Sequence, residues 1–167
     1  MKKIGLLFLS CFLIGCATNY QKQGLLGGFD ETQLAPNVWA VKFKGNDSTS
    51  INRAEEFTLL RCADLALQHG YLYFVLTEST SSIERSTYTS PRETTTTFES
   101  DNSADSTRGT VKTKIRGGNT EVISSPLTSY RAVMYQAKPD LQDTIYDAQF
   151  LCHTLGKKYE IECGTLK

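Results

Sequence analysis

Residues 37–76 read NVWAVKFKGNDSTSINRAEEFTLLRCADLALQHGYLYFVL, and their hydrophobic period changes twice. From Asn37 to Lys44 the period is two. Trp39, Val41 and Phe43 fall on one side and Ala40, Lys42 and Lys44 on the other, as in a half-buried strand. Gly45-Asn46-Asp47 breaks the run, because Gly and Asn tolerate the left-handed backbone of a tight turn. Asn52 to His69 then has helical spacing, opened by a Ser50 or Asn52 cap with Glu55 three residues after Asn52 and stopped by Gly70. At about 100° per residue, Leu59, Leu60, Ala63, Ala66 and Leu67 share one arc, and Thr58, Arg61, Leu65 and Gln68 lie outside it. The small Ala63 and Ala66 let such a helix sit close to a sheet. Tyr71 to Leu76 is apolar on both faces, which suits a central strand covered on both sides. Trp39–Val75 therefore predicts a β-α-β core.

Downstream the character changes. Between Thr77 and Thr110, 18 of 34 residues are Ser or Thr, and the apolar residues are few: Ile83, Tyr88, Phe98 and Ala104. So little hydrophobic area does not offset the entropy of ordering the segment, which predicts a solvated, flexible insert over 77–110. The rival is a long two-stranded arm, since Thr, Tyr and Phe favour strands and Ser90-Pro91 can turn it. Val111, Thr113 and Ile115 alternate, Gly117-Gly118 can turn, and Glu121–Ile123 can return as a partner strand. Tyr130–Gln136 is a better strand. Pro139-Asp140 ends it, Asp143 or Thr144 can cap a last helix through Leu155 with Gly156 as its stop, and Tyr159–Cys163 can add a short final element. The fold class expected is α+β: one small domain over 37–167, with an antiparallel sheet around the β-α-β core, a second C-terminal helix and the Ser/Thr-rich insert.

Upstream, Lys2 and Lys3 precede an eleven-residue run, Ile4–Ile14, in which Ser10 is the one clearly polar residue. As a helix the run reaches only about 16 Å against a hydrocarbon core of roughly 30 Å, so it has the layout of a secretory signal rather than a span. Leu13-Ile14-Gly15-Cys16 resembles the bacterial lipobox, which implies cleavage between Gly15 and Cys16, with a diacylglycerol on the Cys16 thiol and an acyl chain on its new amine. Residues 1–15 are then signal peptide and 16–36 a lipidated N-terminus and flexible tether, rich in Asn, Gln and Gly. Two acyl chains suffice for stable anchoring. In the enterobacterial pattern Asp after the lipidated Cys favours the inner membrane; Ala17 stands here and points to the outer membrane, facing the periplasm.

Removal of residues 1–15 leaves 152 residues, enough for one domain with a core, and takes a neutral chain to a formal charge of −2. No basic stripe or Lys/Arg block suggests a nucleic-acid partner. The expected partners are the membrane, through the lipid, and another envelope protein or a cell-wall component.

Asn37, Trp39, Val41, Phe43, Gly45-Asn46, Thr49, Leu59-Leu60-Arg61, Ala63, Leu65-Ala66, Gly70-Tyr71 and Tyr73-Phe74 together resemble an uncharacterised family of small lipoproteins from Gram-negative bacteria. The similarity covers Gly28–Leu76 and, more weakly, Tyr146-Asp147-Ala148. The resemblance implies a lipoprotein with a Thr/Ser-rich stretch after the Gly-Tyr strand, and it implies no activity. Cys62, Cys152 and Cys163 depart from the family pattern.

Those three thiols remain once Cys11 leaves with the signal and Cys16 takes lipid, and they cannot all pair within one chain. Cys152 and Cys163 could close a short loop worth about 3 kcal/mol, leaving Cys62 as a small buried hydrophobe. His69 beside the helix stop suits the helix dipole. Cys152-His153 with Cys163 lacks the paired spacing of a closed metal site, so no metal and no cofactor is expected. Nucleophile-elbow, zincin, phosphate-loop and C-x-x-C motifs are absent from the sequence. Arg61 can pair with Asp64 at the surface for under about 1 kcal/mol. Tyr71, Tyr73, Tyr130 and Tyr135 read as core, with an aromatic binding face as the rival. The expectation is a membrane-anchored lipoprotein acting as a non-enzymatic binding or structural module of the envelope. The alternative is a periplasm-facing enzyme, a hydrolase or thiol redox protein, working through Cys62, His69, Cys152 or His153.

Overall fold

The chain is α+β. A computed structural model describes residues 17–103 and 106–164, so Gly15, Cys16 and the signal segment lie outside the described residues. The elements run β1 (Gly28–Ala35), β2 (Val38–Lys44), α1 (Ile51–Gln68), β3 (Tyr73–Thr89), β4 (Glu93–Ser103), β5 (Ser106–Arg116), β6 (Thr120–Tyr135), β7 (Ile145–Asp147) and α2 (Ala148–Tyr159). One sheet has the order β1-β2-β6-β3-β7, and β4 and β5 form a second. The chain divides into two compact units: Glu84–Ser124, and the remainder up to Ile83 and from Ser125 onward.

In the larger unit the expected β-α-β stretch appears as β2, α1 and β3, and β6 fills the place between the two strands. Antiparallel pairing of β2 with β6 sets Val38 opposite Val133 and Lys44 opposite Leu127. Alternation does what the sequence requires: Trp39, Val41 and Phe43 are buried, as are Ala132 opposite Trp39 and Thr128 opposite Phe43, while Lys42 and Lys44 face solvent. Ser50 caps α1 by accepting from Arg53 N, which satisfies one of the orphan amides of the first turn. Ala63 and Ala66, both fully buried, lie in one cluster with Trp39, Phe74 and Met134. A second cluster joins Phe29, Phe43, Ala54 and Phe57, against which Tyr20, Tyr159 and Ile161 pack. Between the clusters the Thr58 and Thr128 hydroxyls bond each other, and Thr58 Oγ1 also donates to Ala54 O. The helix is thus buried beyond its expected arc: Thr58, Arg61 and Leu65 are covered too.

Three expectations need correction. The flexible tether over 16–36 is, within its described part, folded against the unit: β1 pairs antiparallel with β2, Gly28 opposite Lys44 and Gln33 opposite Trp39. It read as linker because β1 is an edge strand with one core side chain, Phe29, and polar residues at most other positions. The domain therefore begins well before residue 37. The 77–110 insert is strand over nearly all of its described length, as the rival reading has it, but Ser90-Pro91 does not turn one strand back on the other: it joins β3 of the five-stranded sheet to β4, which pairs with β5 instead. Its composition indicated the missing core, yet a ladder of backbone hydrogen bonds forms without one. Finally, α2 starts at Ala148, not near Asp143, because Ile145–Asp147 is taken as β7 opposite Tyr73–Val75. Asp147 caps it through Phe150 N, and Gly156 lies inside it, where a Cβ would come within 2.6 Å of Ile161 O. The helix stops instead at Glu160, in the left-handed conformation, so Tyr159–Cys163 adds no separate element.

Burial on both faces of β3 is confined to Phe74 and Val75; Tyr73 and Leu76 are half-buried. In the smaller unit β4 pairs with β5 from Glu93 opposite Arg116 to Ser103 opposite Ser106. At its base Gly117 and Gly118 both have φ of 78°, and a Cβ on Gly117 would meet Pro91 O at 1.9 Å, so this turn requires glycine.

Candidate functional site

The residues that follow Cys16 are locked in place. Thr18 is buried; its N–H donates to Thr49 Oγ1 (2.9 Å), its hydroxyl donates to Leu26 O (2.9 Å), and it accepts from Asn46 N (2.9 Å). The chain then forms a tight hairpin in which Gly24 and Gly27 exchange backbone hydrogen bonds of 3.1 and 3.2 Å. Gly27, with φ of 94°, supplies the left-handed residue, and its backbone lies so close to Lys44 O that a Cβ would sit 2.3 Å away. The two residues at the tip, Leu25 and Leu26, are 102% and 67% exposed. Beside them is an open groove of about 370 Å³ whose lining combines Lys44 with uncharged residues.

Below the hairpin lies a buried charge network that the sequence reading treated as a surface pair. Arg61 and Asp64 are each 1% exposed, joined at 2.7 Å, and Arg61 also reaches Glu31 of β1 at 2.8 Å and 3.4 Å. The guanidinium lies 4.4 Å from the centre of the Phe29 ring. Asp64 accepts from Tyr20 Oη (3.2 Å), Gln68 Nε2 (3.0 Å) and the amide of Gly164. Burial works against the Arg61 charge, but the hydrogen bond and charge of Glu31, with Asp64 and Tyr20, hold its pKa above the ordinary value. Burial, then the Asp64 carboxylate, pushes the Tyr20 hydroxyl far up. The network joins the Tyr20 segment, β1, α1 and the C-terminal segment, and so fastens them together.

The smaller unit carries a different kind of surface. In the β4–β5 register Phe98 opposes Val111 and Thr94 opposes Ile115, with Thr96 and Thr113 between them. Strand alternation puts these residues on one face and Glu93, Glu99, Lys112, Lys114 and Arg116 on the other, where Lys112 pairs with Glu99 at 2.6 Å. Phe98, Val111 and Ile115 are 68%, 62% and 59% exposed. A two-stranded ribbon with an uncovered apolar face is marginal alone in water, so a partner on that face would stabilise it.

The residues singled out from sequence are dispersed. Cys62 is fully buried in α1, and burial pushes its thiol up to about 12. Cys152 and Cys163 are joined in a disulfide. His69 is the C-cap of α1, with its ring 4.8 Å from Trp39, and lines an open depression of about 420 Å³ with Gln68 and Cys163. His153 is exposed on α2. Tyr71 and Tyr130 pack at the edge of the core, and Tyr71 Oη donates to Pro36 O at 3.2 Å. Among the described residues, no cluster of three His, Cys, Asp or Glu is placed to hold a metal ion, and no helix is long and apolar enough to cross a membrane. The hairpin tip, the burial of the Arg61–Asp64 pair and its extension to Glu31 were missed. The available signals were Gly24-Leu25-Leu26-Gly27, apolar residues flanked by glycines, and the placement of Glu31 two residues from Phe29 on the same face. No family model, curated protein or solved structure matches the chain.

Proposed function

We propose that this chain is a bacterial envelope lipoprotein, held by lipid on Cys16 at the outer membrane facing the periplasm, and that it is a non-enzymatic module binding another envelope component. The lipobox at Leu13–Cys16 and the resemblance over Gly28–Leu76 support the address. The Cys152–Cys163 disulfide fits an oxidising compartment. The observation that carries the binding part is the uncovered Phe98–Val111–Ile115 face of the ribbon, because apolar side chains so exposed on a two-stranded ladder are better explained by a partner than by packing within the unit.

The test is in-cell photocrosslinking from Phe98, with Thr97 on the opposite face as the control. A defined adduct with an envelope protein or wall fragment from position 98, lost in Cys16→Ala cells, is expected. Equal, diffuse labelling from both positions would contradict the binding role.

A further inference from the structure

We infer that the Leu25-Leu26 hairpin tip is a second membrane contact, dipping into the headgroup and upper acyl region of the bilayer that holds the Cys16 lipid. The inference rests on the lipid anchor proposed above, and it follows from the length of chain between that anchor and the first locked residue.

Thr18 is two residues from Cys16, and two residues span at most about 7 Å. Thr18 is buried and bonded to Thr49, Asn46 and Leu26. A lipid on Cys16 therefore cannot hold the unit at the end of a loose leash; it brings the Thr18 end of the unit to the headgroup layer. At that end the Thr18 hydroxyl donates to Leu26 O, and beside Leu26 stands Leu25, exposed to the full extent of its side chain. Two largely exposed apolar side chains on a closed turn then meet a layer that accepts apolar residues to a depth of about 5–10 Å. The groove beside the tip is lined by uncharged residues and Lys44, so its lining presents no carboxylate to an anionic lipid surface. The partner is a lipid surface containing phosphatidylglycerol-type headgroups.

Leu72 provides the control site. Its N–H donates to Tyr135 O, at the far end of the sheet from the Gly28–Lys44 pair that supports the hairpin. It is 43% exposed and able to take an indole ring. The full chain, expressed with its own signal, would carry Leu25→Trp or Leu72→Trp in addition to the native Trp39. It would be reconstituted into phosphatidylethanolamine and phosphatidylglycerol vesicles, with and without bromine on the upper acyl carbons. Mass measurement of the N-terminal peptide establishes lipid on Cys16 in the same sample. In lipid-bearing protein the emission added by Leu25→Trp is expected to shift to shorter wavelength and to be mostly lost to brominated chains, while that added by Leu72→Trp persists. Lipid-bearing protein quenched equally little at both positions would overturn the docking and leave the anchor standing. An N-terminal peptide without lipid would overturn the anchor, and the docking with it.

Discussion

At the scale of single residues, Arg61 has the largest consequence. It lay outside the expected apolar arc of its helix, and a charged residue there reads as solvated; what the one-dimensional pattern lacked was β1, which brings Glu31 and Phe29 over it. Replacing one member of a buried ionic cluster leaves the others uncompensated, so Arg61→Met is expected to lower unfolding free energy by about 3–5 kcal/mol. Arg61→Lys, which keeps the charge and loses the fork, should fall between the variant and the wild type. Urea titrations with unchanged slope would measure both. Glu56 offers a separate test. Burial raises its pKa, but hydrogen bonds from Lys158 and Tyr159 and the Lys158 charge outweigh this and hold it below the ordinary glutamate value. The unfolded chain therefore binds the proton first as pH falls, and the pair's stabilisation is complete above the unfolded glutamate value of about 4.3 and fades below it. Between pH 6 and pH 3 the wild type should lose more stability than Glu56→Gln. Identical losses in urea melts at the two pH values would remove the pair from the account.

Among elements, β2 and α1 were readable because each has one strong period and a cap or turn residue at its boundary, Ser50 and Gly70 for the helix. The edge elements were not. β1 has one core residue, β7 is three residues long, and α2 starts late because β7 takes the residues that composition offered to a helix. The ribbon was ambiguous for a different reason: its Thr-rich sequence favours strands while offering no core, and local composition cannot weigh a ladder against chain entropy. The Cys152–Cys163 bridge joins α2 to the segment whose Gly164 amide reaches Asp64. With its ends 11 positions apart in sequence, it is expected to contribute about 3 kcal/mol through the unfolded state. Differential scanning calorimetry of the wild type against the double variant Cys152→Ser/Cys163→Ser should show that loss. An unchanged transition would mean the bridge contributes nothing to stability.

For the whole molecule, fold class was legible because it rests on a strong local signal, the period change over 37–76, while the proposed anchor rests on charge, apolar run, small residue and Cys in order over 2–16. What sequence hid was the relation between the anchor and the domain. A segment rich in Asn, Gln and Gly reads as slack chain, yet Thr18 bonds Thr49 and Asn46 in the turn between β2 and α1, Tyr20 bonds Asp64 of α1 and Phe29 pairs with Phe43 of β2, so an anchored chain would stand against its membrane rather than above it. The proposed lipid on Cys16 at the outer membrane is tested by palmitate labelling of wild type and Cys16→Ala cells with separation of the two membranes. Label is expected in the wild-type chain, in the outer-membrane fraction, and none in the variant. Unlabelled wild-type protein recovered in the soluble periplasmic fraction would contradict it.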